Sequence, residues 1–187
     1  MSLINKPAPK WQGMAYANGD FVELSNEDHA GKWAILFFYP ADFTFVCPTE
    51  LEDMAEVYPQ FQELDVKVYS VSTDKHYSHK AWHESSERVG KIEFPMVADP
   101  TGQIALDFDT LRPGEGAADR TTVLIDPDNV IQYVETTSEG VGRNATELLR
   151  KVKAAQFVYN NPGQVCPAKW DTGQATLKPS FDLTGKL

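Results

Sequence analysis

Trp33-Ala-Ile-Leu-Phe-Phe-Tyr39, followed by Pro40-Ala-Asp-Phe-Thr44-Phe-Val-Cys47-Pro-Thr-Glu50-Leu51, is the stretch on which the reading of the fold turns. Its first seven residues are apolar or aromatic without alternation, the pattern of a strand buried on both faces. Pro40 ends that strand. From Pro48 the periodicity changes. Leu51, Met54, Ala55, Tyr58 and Phe61 recur at spacings of three and four, while Glu52, Asp53, Glu56 and Glu63 cover the other side of a helix. Pro59 lies inside this run and is expected to kink or end the helix there. A buried strand thus feeds through a short loop into an amphipathic helix, with Cys47 at the junction.

Outward from this unit the signals continue in both directions. Met14 to Leu24 reads as a hairpin, because Asn18-Gly19 suits a type I′ turn between short extended runs. Val66 to Thr73 reads as a second strand, Ser78 to Arg88 as a helix and Phe94 to Ala98 as a short strand. Thr121 to Asp126 and Val130 to Thr136 flank Pro127-Asp128-Asn129, a turn between antiparallel strands. Asn144 is suited to cap a helix running to about Tyr159, with Glu147 three residues on, and Asn161-Pro162-Gly163 stops it. This order is compatible with an α/β, thioredoxin-like sheet covered on both faces, carrying an N-terminal hairpin and an extended C-terminal tail. The expected division is a domain over residues 1–160 and a tail over 161–187.

The chain has 187 residues and a formal net charge of −10. An acidic surface of that kind repels nucleic acid and anionic lipid. No apolar run approaches the roughly 18 residues that span a bilayer. The start, Met1-Ser-Leu-Ile-Asn-Lys-Pro7, lacks a signal peptide's basic segment and apolar core, so a cytoplasmic protein is expected. There are two cysteines, Cys47 and Cys166. In a reducing compartment a static disulfide is improbable, and paired cysteines are usually catalytic or redox-sensing. Composition alone leaves an equal alternative, two unrelated thiols packed as small hydrophobes.

The surroundings of Cys47 favour chemistry. Backbone N–H groups at a helix N-terminus carry partial positive charge, and a cysteine placed there loses its proton more readily. Thr44 lies three residues earlier, and on a helical turn its hydroxyl faces the same side and can bond the sulfur or a bound oxygen. No second cysteine follows within the next three residues, where Pro48, Thr49 and Glu50 stand. That spacing disfavours simple dithiol exchange and favours a lone nucleophile that acquires oxygen and needs a distant partner. Arg120 and Arg143, before the Thr121 strand and the last helix, are the candidate cations. Glu50 is suited to hold a guanidinium in place.

The run FYPADFTFVCPTE, Phe38 to Glu50, resembles the active-site signature of the peroxiredoxins. The later run GQVCPAKW, Gly163 to Trp170, resembles the second cysteine segment of their typical two-cysteine members. The likeness extends over nearly the whole chain and is strongest toward the bacterial alkyl hydroperoxide reductase C group, through YSVSTD, HKAWH, DPTG, ADR, LLRKVKAAQ and the final LTGK. The resemblance implies roles at matching positions. Cys47 would be the peroxidatic cysteine, shielded by Pro40, with Thr44 bonding the peroxide and Arg120 favouring the thiolate and orienting substrate. Glu50 and Arg143 would complete the polar network. Cys166 would be the resolving cysteine, supplied by the neighbouring subunit of a homodimer that often assembles into a decamer. The substrate would be a hydroperoxide. The electron donor would be a flavoprotein disulfide reductase (the alkyl hydroperoxide reductase F component) or a thioredoxin. No cofactor or metal is implied. One departure is that Pro113-Gly-Glu-Gly-Ala-Ala118 stands where overoxidation-sensitive members carry a Gly-Gly-Leu-Gly insertion, and no Tyr-Phe pair follows the tail.

Two rival classes have their own discriminators. His76, His79 and His83 have helical spacing and fit a metal site, although no carboxylate or cysteine joins them at ligand spacing and Trp82 indicates packing. Metal content would separate these readings. A non-catalytic holdase has no direct sequence signal, and a pure binding protein would consume no peroxide.

Overall fold

The computed structural model describes residues 2–186, which form two compact units, one up to residue 145 and one from residue 146. The first unit is built on seven strands. These are β1 (Gln12–Ala17), β2 (Asp20–Ser25), β3 (Trp33–Phe38), β4 (Val66–Ser72), β5 (Met96–Ala98), β6 (Arg120–Ile125) and β7 (Ile131–Thr137). They form one sheet in the order β2-β1-β5-β4-β3-β6-β7. The helices are α1 (Cys47–Glu63), α2 (His76–Ser85), the five-residue α3 (Gln103–Asp107) and α4 (Ala145–Asn160). The arrangement is the α/β one expected, with a hairpin at the start and a tail after the last helix.

All six residues of β3 are buried, as its unbroken apolar run requires. β3 pairs in parallel with β4 and antiparallel with β6, setting Phe37 opposite Thr122 on one side and Ser70 on the other. The hairpin turn has Asn18 at φ 53° and Gly19 at φ 85°, the two left-handed positions that a type I′ turn needs. β1 then joins the main sheet through β5, with Ala15 opposite Val97 and Tyr16 opposite Met96. One core cluster includes Trp11, Leu36, Phe38, Val71, Phe108 and Ile125.

The helix α1 does not end at Pro59. It continues through Pro59 to Glu63. A proline inside a helix costs about 3 kcal/mol. Leu51 and Met54 before Pro59, and Phe61 after it, are all buried, and burying such side chains gives about 1.5–3 kcal/mol each. That burial outweighs the lost hydrogen bond. The buried stripe also runs through Val57, with Ala55 and Tyr58 only half-buried. Further along, α2 starts two residues earlier than its pattern and stops at Ser85, and α3 follows Gly102, which sits at φ 70°.

In the second unit the tail folds back on its own helix. Trp170 is buried, its ring 5.0 Å from Phe157, and its carbonyl accepts a 2.7 Å bond from Arg150 Nη1. Val165 and Leu177 pair across the loop that carries Cys166. Among the described residues no helix is long and apolar enough to cross a membrane.

Candidate active site

Cys47 is the first residue of α1 and is fully buried. Val46 precedes it, and no side chain caps the helix. Pro48 has no N–H to offer and is well suited to this position. The strand β6 begins at Arg120, which crosses to the same place. Arg120 Nη1 donates to Cys47 Sγ at 3.2 Å and to Glu50 Oε2 at 2.8 Å, while its Nε donates to the Glu139 carbonyl at 2.7 Å. The guanidinium is therefore fixed from three directions, with only 3% of the residue exposed.

Glu50 sits one turn beyond Cys47, so the two side chains share a helix face. It is buried and holds both arginines. Arg143 reaches it with its backbone N–H and Nε, each 2.9 Å from Oε1, and with Nη2 at 3.1 Å from Oε2. Arg143 Nη1 also donates to Thr122 Oγ1 at 3.1 Å, and its guanidinium lies 3.5 Å over the Phe37 ring. Burial by itself pushes the Glu50 carboxyl up. Hydrogen bonds and charge from Arg143, with the charge of Arg120, overcome this and hold it below its ordinary value. Burial pulls Arg120 down, yet its bond and attraction to the Cys47 sulfur and the Glu50 charge bring it above its ordinary value. Two guanidinium groups on one carboxylate leave this polar cluster with an excess positive charge, set beside a sulfur at a helix N-terminus.

Pro40 is buried at the entry to the 41–46 loop. Thr44 departs from the sequence reading, because α1 begins three residues after it and Thr44 lies on no helical turn. Its hydroxyl donates to the Ala41 carbonyl at 2.8 Å. With its proton committed, the oxygen has lone pairs to offer an incoming O–H. Phe43 and Phe45 are 59% and 92% exposed, so the loop surface outside this polar floor is apolar. Trp82 is buried, with its ring 5.9 Å from Phe43.

The second unit holds Cys166, a half-buried free thiol with Sγ 3.8 Å from the Ala154 carbonyl. Burial pushes its pKa up, against a weaker opposing effect of Arg150. The three histidines of α2 have separate partners. His79 pairs with Asp42, His83 Nε2 bonds the Ile92 carbonyl at 2.9 Å, and the His76 ring sits 4.8 Å from Phe21. Among the described residues no group of three or more His, Cys, Asp or Glu is arranged to hold a metal. A cavity of about 660 Å³ between Trp11, Met14, Ala98 and Ile104 contains none of the residues named around Cys47.

Residues 4–134, which include Cys47, Glu50 and Arg120, match the family model described as AhpC/TSA. The chain belongs to the AhpC/TSA family. It is 55% identical to alkyl hydroperoxide reductase C of Escherichia coli strain K12 over 187 residues, all of both chains. The crystal structure of AhpC from Enterococcus faecalis matches with a TM-score of 0.86 at 50% identity, over 89% of this chain and 100% of that one. A reduced 2-Cys peroxiredoxin of Plasmodium vivax matches with a TM-score of 0.92 at 31% identity, over 97% of this chain and 96% of that one. The thioredoxin-like peroxiredoxin fold and the peroxiredoxin resemblance read from the two cysteine segments are thereby borne out. As an AhpC/TSA protein of the alkyl hydroperoxide reductase C type, the chain is a thiol peroxidase.

Three features of this AhpC/TSA site are finer than the sequence expectations. They are the shared grip of two arginines on Glu50, the Thr44 bond to Ala41, and the burial of Asp42 against His79. The i to i+3 spacing of Cys47 and Glu50 was a usable signal for the first. The other two have none at the level of spacing.

Proposed function

We propose that Cys47 reduces hydroperoxides as a thiolate, that the resulting sulfenic acid condenses with Cys166 of a second copy of the chain, and that a dithiol donor restores both thiols. The observation that carries this reading is the 3.2 Å contact from Arg120 Nη1 to Cys47 Sγ, with Arg120 held rigid by Glu50 and the Glu139 carbonyl. The thiolate attacks one peroxide oxygen and the O–O bond breaks. That oxygen stays on sulfur as S–OH, and the other leaves as alkoxide or hydroxide and takes a proton. Donors already fixed toward developing charge stabilise it without reorganising. Arg120 is such a donor. Thr44, its own proton given to Ala41, accepts from the hydroperoxide O–H and orients it. Arg143 acts through Glu50, and Pro40 keeps water from the sulfur.

In the second step the Cys166 thiol attacks the sulfenic sulfur. A disulfide forms, and water leaves with the oxygen and the thiol proton. Cys47 is fully buried, so this step needs the first turn of α1 to open. The absence of a side-chain cap on that turn supports such opening. A tail cysteine beyond the last helix suits exchange across a two-fold pair. The further assignments follow the resemblance. The protein works in the cytoplasm as a homodimer assembling to a decamer. Its donor is the flavoprotein disulfide reductase component F, with thioredoxin as the alternative, and residues 161–187 act as the tail that carries Cys166.

Two tests address separate parts. Arg120→Met is expected to slow peroxide attack by at least about a hundredfold, the usual cost of removing one fixed donor. Generic alkylation of Cys47 should slow much less, since only peroxide needs the guanidinium as a second binding partner. Equal losses in stopped-flow peroxide and iodoacetamide rates would reduce Arg120 to an effect on the thiol alone. After one equivalent of peroxide, a non-reducing gel should show a covalent dimer. A monomer with an internal Cys47–Cys166 bond by mass spectrometry would remove the second copy from the mechanism and leave the peroxidase step standing.

A further inference from the structure

The 41–46 loop carries Thr44 and leads directly into Cys47, and its placement rests heavily on Asp42, which is hydrogen-bonded to neither. Asp42 Oδ1 accepts from the Tyr39 hydroxyl at 2.7 Å, tying the loop to the end of β3. Asp42 Oδ2 lies 2.8 Å from His79 Nδ1, tying it to α2. The Asp42 backbone N–H donates to Asp74 Oδ2 at 2.8 Å, tying it to the turn after β4, where Ser72 Oγ donates to the same oxygen. The Asp42 and His79 side chains are 1% and 0% exposed.

Each polar atom of this pair has a partner. His79 Nε2 lies 3.2 Å from the Val97 carbonyl, which only accepts, so Nε2 carries a proton. The short contact between Nδ1 and Asp42 Oδ2 needs a second proton between them. Both side chains are thus hydrogen-bonded inside the protein, the arrangement in which buried polar groups are tolerated. Burial and the neighbouring Asp42 charge hold the Tyr39 hydroxyl protonated, so it remains a donor. Next to Asp42, Phe43 has φ 56°, a left-handed conformation that a bulky residue adopts only when its surroundings compel it. The bonds at Asp42 hold the loop in place against the strain at Phe43.

We propose that Asp42 and His79 form a latch that holds the 41–46 loop and the start of α1 in the peroxide-accepting arrangement, so that its strength sets the balance between peroxide attack at Cys47 and resolution by Cys166. This rests on the thiol-peroxidase reading above and names the positioning residues of that same site. Weakening the latch acts in opposite directions on the two steps. Peroxide attack slows, because Thr44 and Cys47 spend less time in place. Disulfide formation speeds up, because the turn that buries Cys47 opens more often. A merely structural defect slows both.

The test follows the two steps separately in reduced protein, peroxide attack by stopped flow and disulfide formation by quenched mass spectrometry. Asp42→Ala removes two bonds to a charged group and is expected to slow attack by about tenfold or more, while resolution rises at least about threefold. Asp42→Asn keeps the shape of the latch. Its amide oxygen accepts from Tyr39, its N–H donates to a neutral His79 Nδ1, and Nε2–H still reaches Val97. It should return both rates to within about twofold of the starting protein. Tyr39→Phe preserves the core ring, gives a smaller shift in the same two directions, and decides the matter if Asp42→Ala does not fold. Slowing of both steps, no change in either, or an Asp42→Asn protein that behaves like Asp42→Ala overturns the latch. Absence of peroxide consumption by the unaltered protein overturns the peroxidase reading instead.

Discussion

Cys47→Ser is expected to reduce peroxide turnover by roughly a thousandfold or more, to the level of a reaction without protein. The substitution replaces sulfur with oxygen at a fully buried position and changes little in volume, so α1 should still begin there. What is lost, on the proposed mechanism, is the nucleophile. A serine hydroxyl beside Arg120 remains protonated near neutral pH, because a guanidinium at 3.2 Å cannot offset the difference between an alcohol and a thiol. Thermal unfolding should stay close to that of the starting protein, which separates a chemical loss from a structural one. Cys166→Ser should behave differently, consuming one equivalent of peroxide per chain and then stalling. Normal turnover by the Cys47 variant with a dithiol donor would remove Cys47 from its role altogether.

The second large effect is expected at Glu50. Glu50→Gln leaves two buried guanidinium groups, Arg120 and Arg143, without their shared counter-charge. Breaking a buried pair by removing one partner costs on the order of 3–5 kcal/mol. A chain of this length should then melt lower by roughly 10 °C. The acid response gives a sharper signature. The folded protein holds the Glu50 carboxyl below its ordinary value of 4.5 through Arg143 and Arg120, despite burial. Its contribution to stability is therefore present above the unfolded-state value and is lost as pH falls through the lower folded-state value. The stability gap between the protein and Glu50→Gln should be widest near neutral pH and should close below about pH 4.5. Urea unfolding across that range measures it. A gap independent of pH would show that packing, not charge, is what Glu50 supplies.

The legible parts of this molecule were those encoded over short spans. The unbroken run from Trp33, the change to helical spacing after Pro48, and Asn18-Gly19 each report on neighbours within a turn or two, and each element stands close to its expected place. Cys47 and Glu50 were also legible together, since one helix carries both. The pairing of Glu50 with two arginines was not. Arg120 and Arg143 lie 70 and 93 residues away, and spacing could nominate them without deciding which touches sulfur. The helix runs on past Pro59 because helix propensity is local, whereas the burial of Val57 and Phe61 is tertiary. The helix α3 has five residues, less than two turns, so it has no periodicity to detect. Asp42 and His79, 37 residues apart, read as a loop residue and a polar helix face, and only the fold makes them a buried pair.

The contact between Cys47 and Arg120 spans 73 residues of chain, and β6, which carries Arg120, must also find β3 across a comparable distance. Pairings this remote in sequence form late, because a long loop must close first. On a ribosome the cysteine emerges well before its guanidinium has been made. Through that interval it has no Arg120 beside it and no Glu50–Arg143 clamp behind it. On the mechanism proposed above, reactivity of Cys47 toward peroxide arrives only with the finished sheet, and a nascent chain should be spared oxidation at that thiol.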